Sequence, residues 1–233
     1  MQFCRMFQTA AGLFTAVSAP LPASTTEQKP TPDLSSDCAT ALSSLCLAQA
    51  QEIVLRKAVG DGKKETVLAK ISEQAAAMFT GTGQLLSVAE VKSIVPRDWV
   101  TSCEARASLY SGLAQWFASR QCHEEKLIGE EIARLSLAVE NLNKSKSKLP
   151  SSMQTELTEW LENANTALTA IKKDNDLIYN ERVTSPDDLS VINGTILVKA
   201  APFPQKFLND QSDIFARMPI LDPSAKKSEC IIS

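Results

Sequence analysis

Two pairs of carboxylates are the side chains of this sequence whose types and spacing could support acid–base chemistry. Glu130 and Glu131 are adjacent, and Asp174 and Asp176 lie two positions apart. A carboxylate pair can supply a general acid and a general base, but it needs a substrate-binding or activating constellation around it. No nucleophile elbow, phosphate loop or metal-ligand spacing accompanies either pair. We therefore interpret both pairs as acids at helix ends and predict that the protein is not an enzyme.

A cysteine beside the only histidine is the second candidate for chemistry. Cys122 and His123 could form a nucleophile or bind a metal. Adjacent residues of a helix point about 100° apart, and the chain has no second histidine. None of the six cysteines belongs to a Cys-x-x-Cys pair, and most lie at apolar helical positions. We expect no metal site, no cofactor and a reducing, cytoplasmic compartment.

The last four residues resemble a signal for lipid attachment. Cys230, two isoleucines and Ser233 form a C-a-a-X box, in which a final serine favours a farnesyl group. Lys226 and Lys227 add positive charge just before the box. We expect Cys230 to be prenylated. The alternative is a chance match at an accidental end of the chain.

The charge balance argues against a nucleic-acid partner, and the hydrophobic content indicates a folded core. The chain has 24 basic and 27 acidic residues, a net charge of −3 and a hydrophobic content of 44%. It carries no basic footprint, so we expect no nucleic-acid partner. The hydrophobic content suffices for a core in one domain or a large part of one. No apolar run reaches the roughly 18 residues needed to cross a bilayer, and for Met1–Pro20 we favour an amphipathic helix over a signal peptide.

Apolar residues recur with helical spacing, and prolines fall between the helices that this spacing predicts. We expect helices over residues 2–18, over 39–58, from about 63 to 79, from about 97, over 123–145 and over 151–179. Short connections between consecutive helices favour antiparallel neighbours. After Tyr179 the pattern becomes extended. The sequence predicts an all-α fold, an antiparallel helical bundle or α-solenoid, with an extended C-terminal tail lying along it.

The first two helices after the N-terminal one are unusually apolar. The helix over 39–58 is apolar on every side until Gly60–Gly62 ends it, and such a helix needs cover on several sides. The next helix has one apolar stripe with Leu68, Ala75 and Phe79 and another with Val67, Ile71 and Met78. The second stripe needs a further neighbour or a partner. We expect the purified chain to self-associate because large exposed apolar patches promote association.

Three stretches resemble the Bro domain of ALIX-type proteins, which are adaptors of the ESCRT membrane-scission machinery. They are Pro32–Leu34 followed by LAQAQE at 47–52, GEEIARL at 129–135, and KKDNDLIY at 172–179. Their order and spacing also match, and the similarity extends from about residue 5 to about residue 218. Bro domains are longer than this chain. We therefore expect residues 1–218 to form the C-terminal, TPR-like part of a truncated Bro domain, and residues 219–233 to form a flexible tail ending in the C-a-a-X box.

The resemblance implies binding instead of catalysis. In this family a shallow apolar patch on the TPR-like helices receives the C-terminal amphipathic helix of an ESCRT-III subunit. The patch falls on Val54, Lys57, Val67 and Ile71 of this sequence. The family often has an aromatic residue where Val54 stands, so we expect a shallower pocket. Tyr179 matches a tyrosine that serves kinase or adaptor contacts in some members, and a packed structural tyrosine is the alternative.

These observations lead to two hypotheses about function. The first is a non-catalytic adaptor for endosomal sorting, cytoplasmic and peripheral on endosomal membranes, that binds an ESCRT-III subunit. The second is a prenylated helical scaffold that has lost ESCRT-III binding through truncation. Binding of an ESCRT-III C-terminal peptide distinguishes them.

Overall fold

The computed structural model of the protein describes residues 2–18 and 31–202, and the statements below refer to them. Seven α-helices and no β-strand lie in this part of the chain, which confirms the all-α prediction. They are α1 (Gln2–Ser18), α2 (Ser36–Gly60), α3 (Glu65–Leu86), α4 (Ala89–Lys92), α5 (Arg97–Glu125), α6 (Ile128–Ser145) and α7 (Ser151–Asp174). The predicted lipid site at Cys230 and the predicted boundary between residues 218 and 219 lie outside the described residues.

The long helices pack side by side in chain order. α1 packs against α2, α2 against α3, α3 against α5, α5 against α6 and α6 against α7. The main core contains the fully buried side chains of Phe79, Leu86 and Leu157. The ring of Phe79 stacks on that of Tyr110 in α5, with the two centroids 5.7 Å apart. This arrangement is the predicted helical bundle or solenoid.

The α2–α3 hairpin forms as the sequence predicts. The side chain of Ser35 accepts a hydrogen bond from the Cys38 N–H at 3.2 Å and caps the start of α2. At the other end, Gly62 adopts a left-handed conformation with φ 62°, which glycine tolerates without steric cost. The Lys63 N–H then donates to the Ala58 carbonyl at 3.1 Å. These local contacts reverse the chain within a few residues.

The apolar helix α2 lies between two other helices. α1 covers one side of it and α3 another, so the cover that the sequence demands comes from within the described residues. By length and composition α2 is the one described helix that could cross a bilayer, which corrects the expectation that no segment qualifies. However, 50% of its most apolar 18-residue stretch is buried inside the protein, and helices buried in a protein core can have the same length and composition.

The boundary between α5 and α6 differs from the prediction, which placed His123 at the start of a helix. α5 continues to Glu125, and α6 begins at Ile128. The reason is that the buried Cys122 extends the inward face of α5 by one more turn. Lys126 then adopts a left-handed conformation, and the Leu127 N–H donates to the Cys122 carbonyl at 2.9 Å, which ends the helix.

Residues 180–202, here called the strap, run across the helices in an extended path with one 3₁₀ turn at Pro186–Asp188. Backbone hydrogen bonds join the strap to α6, α3 and α1. They run from the Thr184 N–H to the Gly129 carbonyl (3.2 Å), from the Thr195 N–H to the Lys70 carbonyl (3.1 Å) and from the Ala201 N–H to the Gln8 carbonyl (2.8 Å). The prediction of an extended tail lying along the helices is confirmed for this segment.

Two helical glycines allow the strap to approach closely. A Cβ atom at Gly12 of α1 would overlap the carbonyl oxygen of Ala201, and one at Gly129 of α6 would overlap that of Arg182. Only glycine leaves room for the strap backbone at these crossings. The helices are therefore shaped to hold the strap.

Candidate functional site

The four residues that the resemblance assigns to partner binding lie at one end of the α2–α3 hairpin. Val54 and Lys57 belong to the last two turns of α2, and Val67 and Ile71 belong to the first two turns of α3. The two helices pack against each other and are joined by a short turn, so these segments are neighbours. The hairpin therefore brings the predicted residues to one region of the molecule.

Their exposure divides these residues into two groups. Val67 is 42% exposed, whereas Ile71 is 2% exposed and belongs to the main core. The expectation that Ile71 shares an exposed stripe with Val67 is therefore corrected. Four residues advance a helix by about 40° beyond one full turn, and the edge of the buried face passes between the two positions. Val54 is half-buried and packs on a small cluster with Ala50 and Val198 of the strap.

Lys57 already has an anionic partner within its own helix end. Its Nζ atom lies 2.8 Å from a carboxylate oxygen of Asp61, and both side chains are exposed. The hydrogen bond from Lys57 lowers the pKa of Asp61. Exposed pairs of this kind are weak because water and salt screen them. An acidic residue of a partner can therefore compete with Asp61 for Lys57.

The strap adds two exposed aliphatic side chains beside this region that the sequence reasoning missed. The Gln51 side chain donates from Nε2 to the Thr195 carbonyl at 2.9 Å, and its Oε1 accepts from the Leu197 N–H at 3.1 Å. The side chains of Ile196 and Leu197 consequently lie exposed over the α2–α3 hairpin. The available signal was Gln51 itself, because a glutamine inside an apolar helix needs polar partners when buried.

Tyr179 lies at the end of a π-helical turn, Asn175–Tyr179, that follows α7. Tyr179 is 50% exposed, and the neighbouring Leu177 and Ile178 are more exposed still, at 70% and 66%. Half of the residue is covered, so this exposure is compatible with the packing alternative as well as with a partner contact. Its role in kinase or adaptor contacts stays a prediction.

The carboxylates occupy the helix ends at which we expected them. Glu130 and Glu131 lie in the first turn of α6, where the helix dipole favours acids. Glu131 is buried, and both of its oxygens lie 3.1 Å from Nδ1 of His123. Asp174 and Asp176 are exposed beside the end of α7. Among the described residues, no group of three His, Cys, Asp or Glu side chains is arranged to hold a metal ion.

Cys122 has the properties of a buried structural thiol. Burial raises its pKa, and this outweighs the opposing effect of Arg134. A raised pKa keeps the thiol protonated, and the thiolate is the nucleophilic form. The cysteine–histidine pair is therefore not an activated nucleophile.

Comparison with known proteins identifies relatives over nearly the whole chain. The ALG-2 interacting protein X of Dictyostelium discoideum is 32% identical over 206 residues, which are 87% of this chain and 26% of that protein. Programmed cell death 6-interacting protein of Homo sapiens is 32% identical over 212 residues, 91% of this chain and 24% of that protein. This chain thus spans about a quarter of the length of these relatives.

Solved structures agree with the fold. ALIX in complex with the SIVmac239 PYKEVTEDL late domain matches with a TM-score of 0.80 and 30% identity, covering 93% of this chain and 30% of that one. The ALIX BRO1 CHMP4C complex matches with a TM-score of 0.79 and 31% identity, covering 92% of this chain and 58% of that one. The family model described as the BRO1-like domain matches residues 2–220. This chain belongs to the BRO1-like domain family.

Proposed function

We propose that this protein is a non-catalytic adaptor in the ESCRT pathway of endosomal sorting, and that it binds the C-terminal amphipathic helix of an ESCRT-III subunit. The observation that carries the proposal is the similarity over 92% of this chain to a BRO1 structure in complex with CHMP4C. A BRO1-like chain of this fold is suited to the same kind of partner.

The surface at the end of the α2–α3 hairpin supports this proposal. Val54 and Val67 offer apolar contacts on the helices, and Ile196 and Leu197 extend them along the strap. Lys57 lies at the edge and can meet an acidic residue of the partner. Ile71 supports this surface from the core. An amphipathic helix can lay its apolar face against anchors of this kind, and each buried anchor contributes roughly 1.5–3 kcal/mol before association costs.

We further propose that the protein acts in the cytoplasm, peripheral on endosomal membranes. In this proposal residues 1–218 form the BRO1-like part, and residues 219–233 carry the lipid on Cys230. A single lipid chain gives only weak and reversible membrane binding. The partner at the membrane would supply the second attachment.

Calorimetric titration of the chain with a peptide spanning the C-terminal helix of CHMP4C tests the adaptor proposal. Two or three desolvated anchors support binding in roughly the micromolar range. The alternative is a prenylated helical scaffold without ESCRT-III binding, which is favoured by the C-a-a-X box and the burial of Ile71. No heat of binding from a chain with normal helix content would support the scaffold.

A further inference from the structure

Arg134 of α6 is a buried cation whose hydrogen-bond partners are all neutral. Its side chain is 3% exposed. Nη1 donates to Oε1 of Gln115 at 3.0 Å, and Nη2 donates to the carbonyl and the hydroxyl oxygen of Ser190 at 2.9 and 2.8 Å. Within residues 2–18 and 31–202, no carboxylate forms an ion pair with Arg134, and its buried Nε has no hydrogen-bond partner. Burying a charge without a counter-charge costs free energy, so an anion bound beside this guanidinium would be stabilising.

Arg134 lines a cavity that has room for a small anion. The cavity has a volume of about 370 Å³ and lies between α3, the end of α5, the start of α6 and the strap. This volume falls in the range of small-molecule sites, roughly 300–1,000 Å³. Polar side chains dominate its walls, among them Gln121 and Asn193. The cavity is therefore suited to a small polar ligand and not to an apolar anchor.

The other charges of the wall limit the kind of ligand further. Lys70 and Arg134 are the cations of the lining, and Glu125 and Glu130 are its carboxylates, so the formal charges cancel. Arg134 is buried, whereas Glu125 is exposed and accepts from Nε2 of Gln121 at 2.8 Å. A phosphate would meet two like charges at these carboxylates, and a simple cation would meet Arg134. A molecule with a carboxylate at one end and an ammonium group at the other satisfies both.

We propose that this cavity binds a small zwitterion of the amino-acid class, with its carboxylate on Arg134 and its ammonium group facing Glu125 and Glu130. The competing arrangement is internal. Glu130 lies four residues before Arg134 on the same face of α6 and could rotate to neutralise it. Neither Val54 nor Val67 lines the cavity, and the site does not depend on ESCRT-III binding. Failure of one proposal leaves the other intact.

Nuclear magnetic resonance of the full chain labelled with ¹⁵N-arginine tests this site. The Nε–H signal of Arg134 is assigned by its loss in Arg134→Lys, and the signals of the exposed Arg97 and Arg182 report non-specific effects. Glycine is the probe, and acetate and methylammonium each carry one of its charges. We expect glycine to shift the Arg134 signal in a saturable way and at lower concentration than acetate. Methylammonium alone should leave that signal unshifted.

Glu130→Gln makes the test decisive, because Arg134 also holds Ser190 and its replacement can loosen the strap. The proposal expects this variant to bind glycine more weakly by roughly fivefold, as for a screened ion pair, with acetate binding unweakened. No saturable shift with glycine would overturn the site. Equal affinity for glycine and acetate, or unweakened glycine binding by Glu130→Gln, would overturn the zwitterion and leave Glu130 as the internal counter-ion.

Discussion

At the scale of single residues, Val67 offers the most direct test of the proposed partner surface. Val67→Asp places a charge in the apolar contact and should abolish binding of the CHMP4C peptide in a calorimetric titration. The helix should persist because Leu68, Ala75 and Phe79 of α3 are all buried and hold it to the core. Far-UV circular dichroism should therefore show nearly unchanged helix content.

A matched control exists at the other end of α3. Val88 is also 42% exposed, and it directly precedes α4. Val88→Asp adds the same charge to an equally exposed valine and should leave peptide affinity unchanged. Unfolding by Val67→Asp would mean that Val67 is part of the core. Wild-type affinity in that variant would mean that the partner binds elsewhere.

The positions of these residues could be predicted only in part. The resemblance placed Val54, Lys57 and Val67 on accessible turns of the hairpin. It could not place Ile71, because the edge of a core depends on neighbouring elements and not on spacing within one helix. Leu197 was missed for a similar reason, since its contact with Gln51 joins residues 146 positions apart.

At the scale of elements, the side-chain amide of Gln51 binds the backbone of the strap in the way that a neighbouring β-strand would. Gln51→Leu removes both hydrogen bonds that fix Thr195 and Leu197, and leaves their backbone groups without these partners. We expect the free energy of unfolding to fall by about 1–3 kcal/mol. Hydrogen exchange should be faster at the Leu197 amide. Chemical denaturation and exchange mass spectrometry measure the two effects.

Gln49→Leu is the control for this change. Gln49 lies two residues earlier in α2, is only partly buried, and its side chain makes no hydrogen bond to the described residues. Its replacement should change neither stability nor exchange in the strap. If Gln51→Leu behaves in the same way, the other contacts of the strap hold it without Gln51.

The long helices could be predicted because each carries its own apolar period, and a glycine or proline marks one end of α2, α5 and α7. The end of α5 could not, because Cys122 continues its inward face past the expected boundary. The path of the strap could not be predicted either. Its contacts are long-range, and Gly12 and Gly129 acquire meaning only when the strap lies on them.

At the scale of the whole molecule, membership of the BRO1-like family agrees with the prediction that this chain is not an enzyme. The chain is also 29% identical to a tyrosine-protein phosphatase of Homo sapiens, but the match covers 13% of that protein. The phosphatase homology of that protein lies outside its BRO1 domain, so the match does not indicate an enzyme. In the proposed function, attachment to membranes comes from a partner or from the lipid.

Cys230→Ser tests the lipid. The substitution removes the acceptor sulfur of the C-a-a-X box and should reduce the membrane-bound fraction of the protein in cells. Membrane binding should be partial even in the wild type because a single lipid chain anchors a protein weakly. Ser233→Leu is the control, since a final leucine directs a geranylgeranyl group to the same cysteine and should preserve membrane binding. Equal fractionation of all three proteins would contradict prenylation.

We expect the surface for self-association to lie on α1 and not on α2. Phe3, Met6, Leu13 and Val17 lie on one face of α1 and are all exposed, whereas α1 and α3 cover α2. A helix with one face on its neighbour and a second apolar face in water favours association with another copy. We therefore expect the average mass of the purified chain to rise with concentration.

Sedimentation across a wide concentration range tests this prediction with two charge-matched variants. Met6→Glu with Leu13→Glu places two acids within the apolar face of α1 and should yield a monomer, because each buried carboxylate would lose its hydration. Thr9→Glu with Ala16→Glu adds the same charges, seven residues apart, at exposed positions outside that face and should still associate. A wild-type chain that stays monomeric would refute self-association. Association of the Met6 and Leu13 variant would place the contact on another surface.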